Sequence, residues 1–117
     1  MIDTRTKIAT PEQARAQAAA NGWRAVRTYC DPMLPAHVDD LRALAGEGKL
    51  LLIIDTPEDA YLEARARCEI AASLSFAGAV TEGDGDFAAA AGAYDATEAE
   101  QGHRRRFFET VREKSGS

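Results

Sequence analysis

Leu50-Leu51-Leu52-Ile53-Ile54, closed by Asp55, is the stretch that decides the fold. Five large aliphatic side chains in succession leave no polar face. A strand of this kind is covered on both sides, as in parallel sheets whose crossover helices lie against each face. The flanks agree with that reading. Just upstream, Pro35 opens a helix on which Val38, Leu41, Leu44 and Ala45 share one face while Asp39, Asp40 and Arg42 point away, and Gly46 and Gly48 end it. Before that helix, Trp23-Arg24-Ala25-Val26-Arg27-Thr28-Tyr29-Cys30 mixes aromatic and β-branched residues at roughly alternating positions and stops at Asp31-Pro32, which predicts a first strand. Farther upstream, Thr10-Pro11-Glu12-Gln13 supplies a capping hydroxyl, a proline at the first helical position and a glutamine at the third. An alanine-rich helix follows and ends at Gly22.

Downstream, Thr56-Pro57-Glu58-Asp59 repeats the logic of the first cap and predicts a third helix running to about Leu74, with Leu62, Ala66, Ile70 and Leu74 on its apolar face. Phe76-Ala77-Gly78-Ala79-Val80 predicts a third strand. Gly83 to Asp86 reads as a turn, and Phe87 to Tyr94, alanine-rich but broken by Gly92, as a weak helix or an irregular segment. Thr97-Glu98-Ala99-Glu100 matches a capping box, Phe107, Phe108 and Val111 are expected to give the last helix a buried side, and residues 113–117 a frayed polar tail. The order α-β-α-β-α-β-(α)-α with short connections predicts a small Rossmann-like three-layer α/β domain, with a parallel sheet and helices on both faces, over residues 1–117.

Bulk properties narrow the function classes. A chain of 117 residues, 45% of them hydrophobic, suffices for one core. Its net charge of -5 lacks the positive footprint that nucleic-acid binding requires, so no nucleic-acid partner is expected. Cys30 and Cys68 have no metal-ligand spacing and no histidine cluster beside them, which argues against a zinc site or a disulfide scaffold. No signal-like or membrane-spanning apolar run is present, so the expected location is cytoplasmic, with no membrane partner. A small sheet with open edges is compatible with a homodimer.

The junction between first strand and second helix, Thr28-Tyr29-Cys30-Asp31-Pro32-Met33-Leu34-Pro35-Ala36-His37-Val38-Asp39-Asp40-Leu41, resembles the signature of the cytidylyltransferase-like nucleotidyltransferases, the family of ADP-heptose synthase and glycerol-3-phosphate cytidylyltransferase. Those proteins carry an Asp at the strand end, two apolar residues and then H-x-G-H at the helix start. In that register Asp31 matches the family's Asp and His37 its second histidine. Lys7 to Ala14, Leu50 to Asp55 and Arg67 to Val80 are also similar to successive family segments, so the resemblance spans roughly residues 7–81.

The resemblance implies transfer of a nucleotide from ATP or CTP, with Mg²⁺, to a sugar or polyol phosphate, pyrophosphate leaving. Imidazoles at a helix start would add donors for the developing phosphoryl charge to those of the backbone amides. It assigns His37 a catalytic role and places Asp31, Leu34, Ala36, Asp55 and Arg67 around the nucleotide and its phosphates. Here the chain departs from the pattern. Leu34 stands at the first histidine position and Ala36 at the glycine, the basic loop expected after Asp55 reads as deleted, and the Ser/Thr-rich motif that closes over the phosphates has no counterpart. One missing oxyanion donor costs about 2.7–4 kcal/mol of transition-state stabilisation. The implied function is therefore a degenerate, catalytically impaired domain, a pseudoenzyme that binds a nucleotide or phosphosugar or serves as a partner subunit. The alternatives are an active nucleotidyltransferase with a reduced site and a non-enzymatic interaction scaffold.

Plainer readings stand beside these. His37 alone could be a surface or capping histidine, and Asp31 could satisfy free backbone amides of a loop. Asp55 could be the phosphoacceptor of a receiver domain, although there the acidic residue ends a third strand rather than a second. Arg67, four residues after Glu63, reads as a solvated ion pair. His103-Arg104-Arg105-Arg106 reads as a charge-balanced exposed face.

Overall fold

A computed structural model describes residues 3–115, with side chains through Glu113. Nine elements build the α/β core. They are α1 (Pro11–Asn21), β1 (Arg24–Thr28), α2 (Pro35–Ala45), β2 (Leu50–Ile54), α3 (Ala64–Ala72), β3 (Ala77–Glu82), α4 (Gly85–Ala90), β4 (Tyr94–Asp95) and α5 (Thr97–Ser115). A turn of 3-10 helix over Thr4–Lys7 precedes them, and Ile8 then bridges Val80 of β3. The strands form one all-parallel sheet in the order β3-β2-β1-β4, a Rossmann-like arrangement with helices on both faces. No described helix is long and apolar enough to cross a membrane.

β2 lies inside the sheet with all five residues buried, and its alternate side chains feed opposite layers. Leu50, Leu52 and Ile54 pack with Val26, Leu41, Cys68, Ala71, Ala72 and Phe76, the layer of α2 and α3. Leu51 and Ile53 pack with Ala14, Ala18, Ala79 and Ala88, the layer of α1 and α4. Each such aliphatic side chain contributes about 1.5–3 kcal/mol relative to exposure, so this unbroken run anchors the sheet. Steps from β1 to β2 to β3 move one way across the sheet, whereas β3 to β4 reverses. With right-handed crossovers, that reversal puts α4 on the face opposite α2 and α3.

The caps that the sequence specifies are present at α1, where the Thr10 hydroxyl accepts from the Gln13 amide and the Gln13 side chain accepts from the Thr10 amide. Gly22 closes the same helix with φ of +68°, a conformation that only glycine adopts without strain. Gly85 to Ala90 forms a short helix capped by Asp84, whose side chain accepts from the Phe87 amide, where the sequence suggests a turn and then a weak helix.

Four sequence expectations are corrected. Residues 56–63 form a loop rather than the start of α3, because the buried Asp31 carboxylate accepts the amides of Tyr61 (2.7 Å) and Leu62 (2.9 Å), which a helix would require elsewhere. The segment after Asp55 is therefore a loop after all, and it carries Glu58, Asp59 and Glu63 but no Lys or Arg. The buried side of α3 is Arg67, Cys68, Ala71 and Ala72, one position round from the expected Ala66–Ile70 stripe. A fourth strand exists, only two residues long and paired with Val26 and Arg27, too short to leave a periodic signature. Finally, α5 keeps Phe107 (44%) and Val111 (45%) exposed, since the helix outruns the layer beneath its first turns. Of the expected frayed tail, Gly116 and Ser117 lie outside the described residues.

Candidate functional site

β1 is the strand at which the sheet reverses direction, flanked by β2 on one side and β4 on the other. Ligands of open parallel sheets bind outside the carboxyl ends of the strands at such a reversal. The chain leaves strand geometry there immediately after Thr28. The Tyr29 and Cys30 amides converge on one acceptor, and Cys30 adopts φ of +55°, a left-handed conformation costing a non-glycine residue about 1–3 kcal/mol.

That acceptor is the carboxylate of Glu100, from the first turns of α5. Its Oε1 accepts from the Tyr29 amide at 2.7 Å and from the Thr28 hydroxyl at 2.8 Å, and its Oε2 accepts from the Cys30 amide at 2.6 Å. Glu100 is buried, so these charge-assisted bonds act away from solvent. The capping box read at Thr97 does not form. The Thr97 hydroxyl donates to Asp95, and the Glu100 carboxylate turns inward.

His37 completes the cluster. It sits in the first turn of α2 and is 1% exposed, so the surface reading is corrected. Because the Thr28 hydroxyl proton points to Glu100, Thr28 Oγ1 must accept from His37 Nε2, 2.7 Å away, which assigns the Nε2–H tautomer. Nδ1 is buried with no hydrogen-bond partner among the described residues. Burial holds the imidazole pKa below its ordinary 6.5, the negative charge of Glu100 opposing that shift without cancelling it. Neutral His37 therefore contributes stability that is complete above its unfolded pKa and is lost as pH falls from there through the lowered folded value. Denaturation midpoints at about pH 7 and about pH 5 are expected to lie closer together in His37→Gln than in the parent protein. An unchanged gap would mean that His37 does not titrate between them.

The other residues singled out in the sequence separate into an inner network and an outer groove. Arg67, also 1% exposed, is no solvated partner of Glu63. Its guanidinium donates to the backbone carbonyls of Tyr29, Asp55 and Leu62 and to the Thr56 hydroxyl, tying the ends of β1 and β2 to the loop that Asp31 holds. Asp55 ends β2 as expected, with Oδ2 paired to Arg27 and Oδ1 accepting the Thr56 amide; Arg27 also reaches Asp95 at the end of β4. The receiver reading of Asp55 meets a different strand order here, since receiver-like sheets run 2-1-3-4-5 and this one runs 3-2-1-4. Leu34 and Ala36 turn outward from the start of α2, which has no side-chain cap, and line an open groove of about 300 Å³ together with Phe107 and Arg106.

Asp31, Asp55 and Arg67 thus share one network, His37 belongs to a second with Thr28 and Glu100, and Leu34 and Ala36 belong to neither. The oxygens of Asp31, Asp55 and Glu100 already serve backbone amides, Thr28 or Arg27, and no group of three or more His, Cys, Asp or Glu side chains able to hold a metal occurs among the described residues. These carboxylates do not fit a protein-held Mg²⁺. Both thiols are buried, which pushes Cys30 well above the ordinary thiol range and Cys68 up to about 11, so neither is a thiolate nucleophile at neutral pH.

Sequence reasoning did not anticipate Thr28, Glu100, Arg27 or Arg104. Arg104 belongs to the basic cluster read as an exposed face, yet it is buried, pairs with Asp59 at 3.0 Å and lies 4.7 Å from the Tyr61 ring centroid. No family model matches the chain, and no curated protein is significantly similar to it in sequence.

Proposed function

We propose that the chain is a degenerate nucleotidyltransferase-like domain that works by binding, of a nucleotide or sugar phosphate or of a partner subunit, and not by turnover. One observation carries the reading. At the end of β1, beside the first turn of α2 where the resemblance would put a transferring phosphoryl group, two backbone amides and the Thr28 hydroxyl donate to the chain's own Glu100 carboxylate, and the His37 imidazole donates to that hydroxyl. An incoming phosphate would have to displace an anion that is covalently tethered and holds three donors. Leu34, at the first histidine position, turns outward and adds no donor, and the loop after β2 offers acidic side chains where phosphates call for basic ones. The tethered carboxylate favours the partner-subunit form over the nucleotide-binding one.

The test combines pyrophosphate release from ATP or CTP, with Mg²⁺ and either sugar phosphates or glycerol phosphate, with thermal shift in the same mixtures. No release is expected. Saturable stabilisation without release assigns the ligand-binding form, and its absence removes that form for these ligands and leaves the partner form. Release that disappears in His37→Ala would overturn the proposal.

A further inference from the structure

A groove of about 700 Å³ separates the loop after β2 from α5, lined by none of Thr28, His37 and Glu100. Its wall on the loop side is Tyr61, 67% exposed yet held in place from behind, since its own amide and that of Leu62 are bound by the buried Asp31 carboxylate. Its floor is the Arg104 guanidinium, packed against the rings of both Tyr61 (4.7 Å) and Phe108 (5.8 Å), which also touch each other with centroids 5.6 Å apart. Arg104 Nε is buried with no acceptor among the described residues. Arg105 and Arg112, on the same flank of α5, make no ion pair or hydrogen bond among the described residues.

We propose that this groove binds a small aromatic anion, a planar ring carrying a phosphate or carboxylate, with the ring against Tyr61 and Phe108 and the anion between Arg105 and Arg112. The reading does not depend on the nucleotidyltransferase resemblance. Tyr61 stands two-thirds exposed on a loop clamped by a buried carboxylate, which preorganises its ring to receive another. Two guanidinium groups without partners on one flank supply the planar donors that phosphate and carboxylate accept. Glu58 and Glu109 also border the groove and Asp59 holds Arg104, so the local charge is balanced. That balance keeps the net pull on an anion modest and makes stacking part of the recognition.

Phenyl phosphate and benzoate are the probes, with inorganic phosphate lacking the ring and phenol lacking the charge, all titrated calorimetrically into the whole chain. Either aromatic anion is expected to bind at least about fivefold more tightly than both inorganic phosphate and phenol, and the stronger of the two identifies the anionic group. Arg105→Ala and Arg112→Ala are each expected to weaken it about threefold to tenfold, more at low salt than at high. Tyr61→Ala removes the stacking wall and is expected to cost about fivefold. All three side chains are exposed, so the variants should keep the parent's far-ultraviolet circular dichroism. Absence of binding at millimolar probe, no advantage over inorganic phosphate, or affinity unchanged in the three variants would each overturn the assignment.

Discussion

Arg67→Met is expected to destabilise the protein by about 3–5 kcal/mol, read as a loss of denaturation free energy at constant m-value. The substitution keeps an apolar stem and removes the guanidinium. Three partly buried carbonyls, those of Tyr29, Asp55 and Leu62, lose a charged donor that is itself buried, as does the Thr56 hydroxyl. Each unsatisfied buried acceptor costs about 1–3 kcal/mol, and total stabilities of small domains are only about 5–15 kcal/mol. Arg67→Lys should recover part of the loss, because an ammonium retains the charge but cannot fork among acceptors on three separate chain segments. A loss below about 1 kcal/mol in Arg67→Met would show that water replaces the guanidinium and that the strand ends do not depend on it.

The second large effect is expected at Glu100. Glu100→Ala strands the Tyr29 and Cys30 amides, at a cost of about 2–4 kcal/mol, while the Thr28 hydroxyl can donate to His37 Nε2 once the ring carries its proton on Nδ1 instead. Glu100→Gln keeps the shape but places an amide N–H where one of the present donors needs an acceptor, and should cost about 1–3 kcal/mol. Small anions add a sharper readout. If the cradle is an anion site filled from within, acetate or phosphate should raise the melting temperature of Glu100→Ala more than that of the parent at equal ionic strength. Equal shifts in both proteins would make Glu100 a packing residue and remove the support it gives to the proposed loss of turnover.

Much of the architecture was legible along the chain, for local physical reasons. A hydroxyl, a proline and a glutamine in the right order cap α1 whatever lies around it, and five consecutive aliphatic residues in β2 admit only a strand covered twice. The loop at 56–63 was not legible, because Thr56-Pro57-Glu58-Asp59 has the composition of a helix start and what keeps it a loop is a carboxylate some thirty residues earlier. α3 misled in a related way. Its Ala66–Ile70 spacing suggests the buried stripe, yet the inward position next to it belongs to an arginine, the residue type least expected in a core.

The candidate site divides along the same line. Local sequence placed Asp31 at the end of β1 and His37 in the first turn of α2, since a strand, a short loop and a proline-started helix fix both positions. Glu100, read locally as half of a capping box, became the anion of the cluster because α5 lies against β1 and α2. The sequence by itself determined the elements, their parallel order and which residues stand at the strand ends, since caps, turns and burial patterns act over a few residues. Only the tertiary structure decided what those residues do there. Hydrogen-bond partners of buried charges come from chain segments up to seventy-two residues apart, and no local pattern records such a pairing.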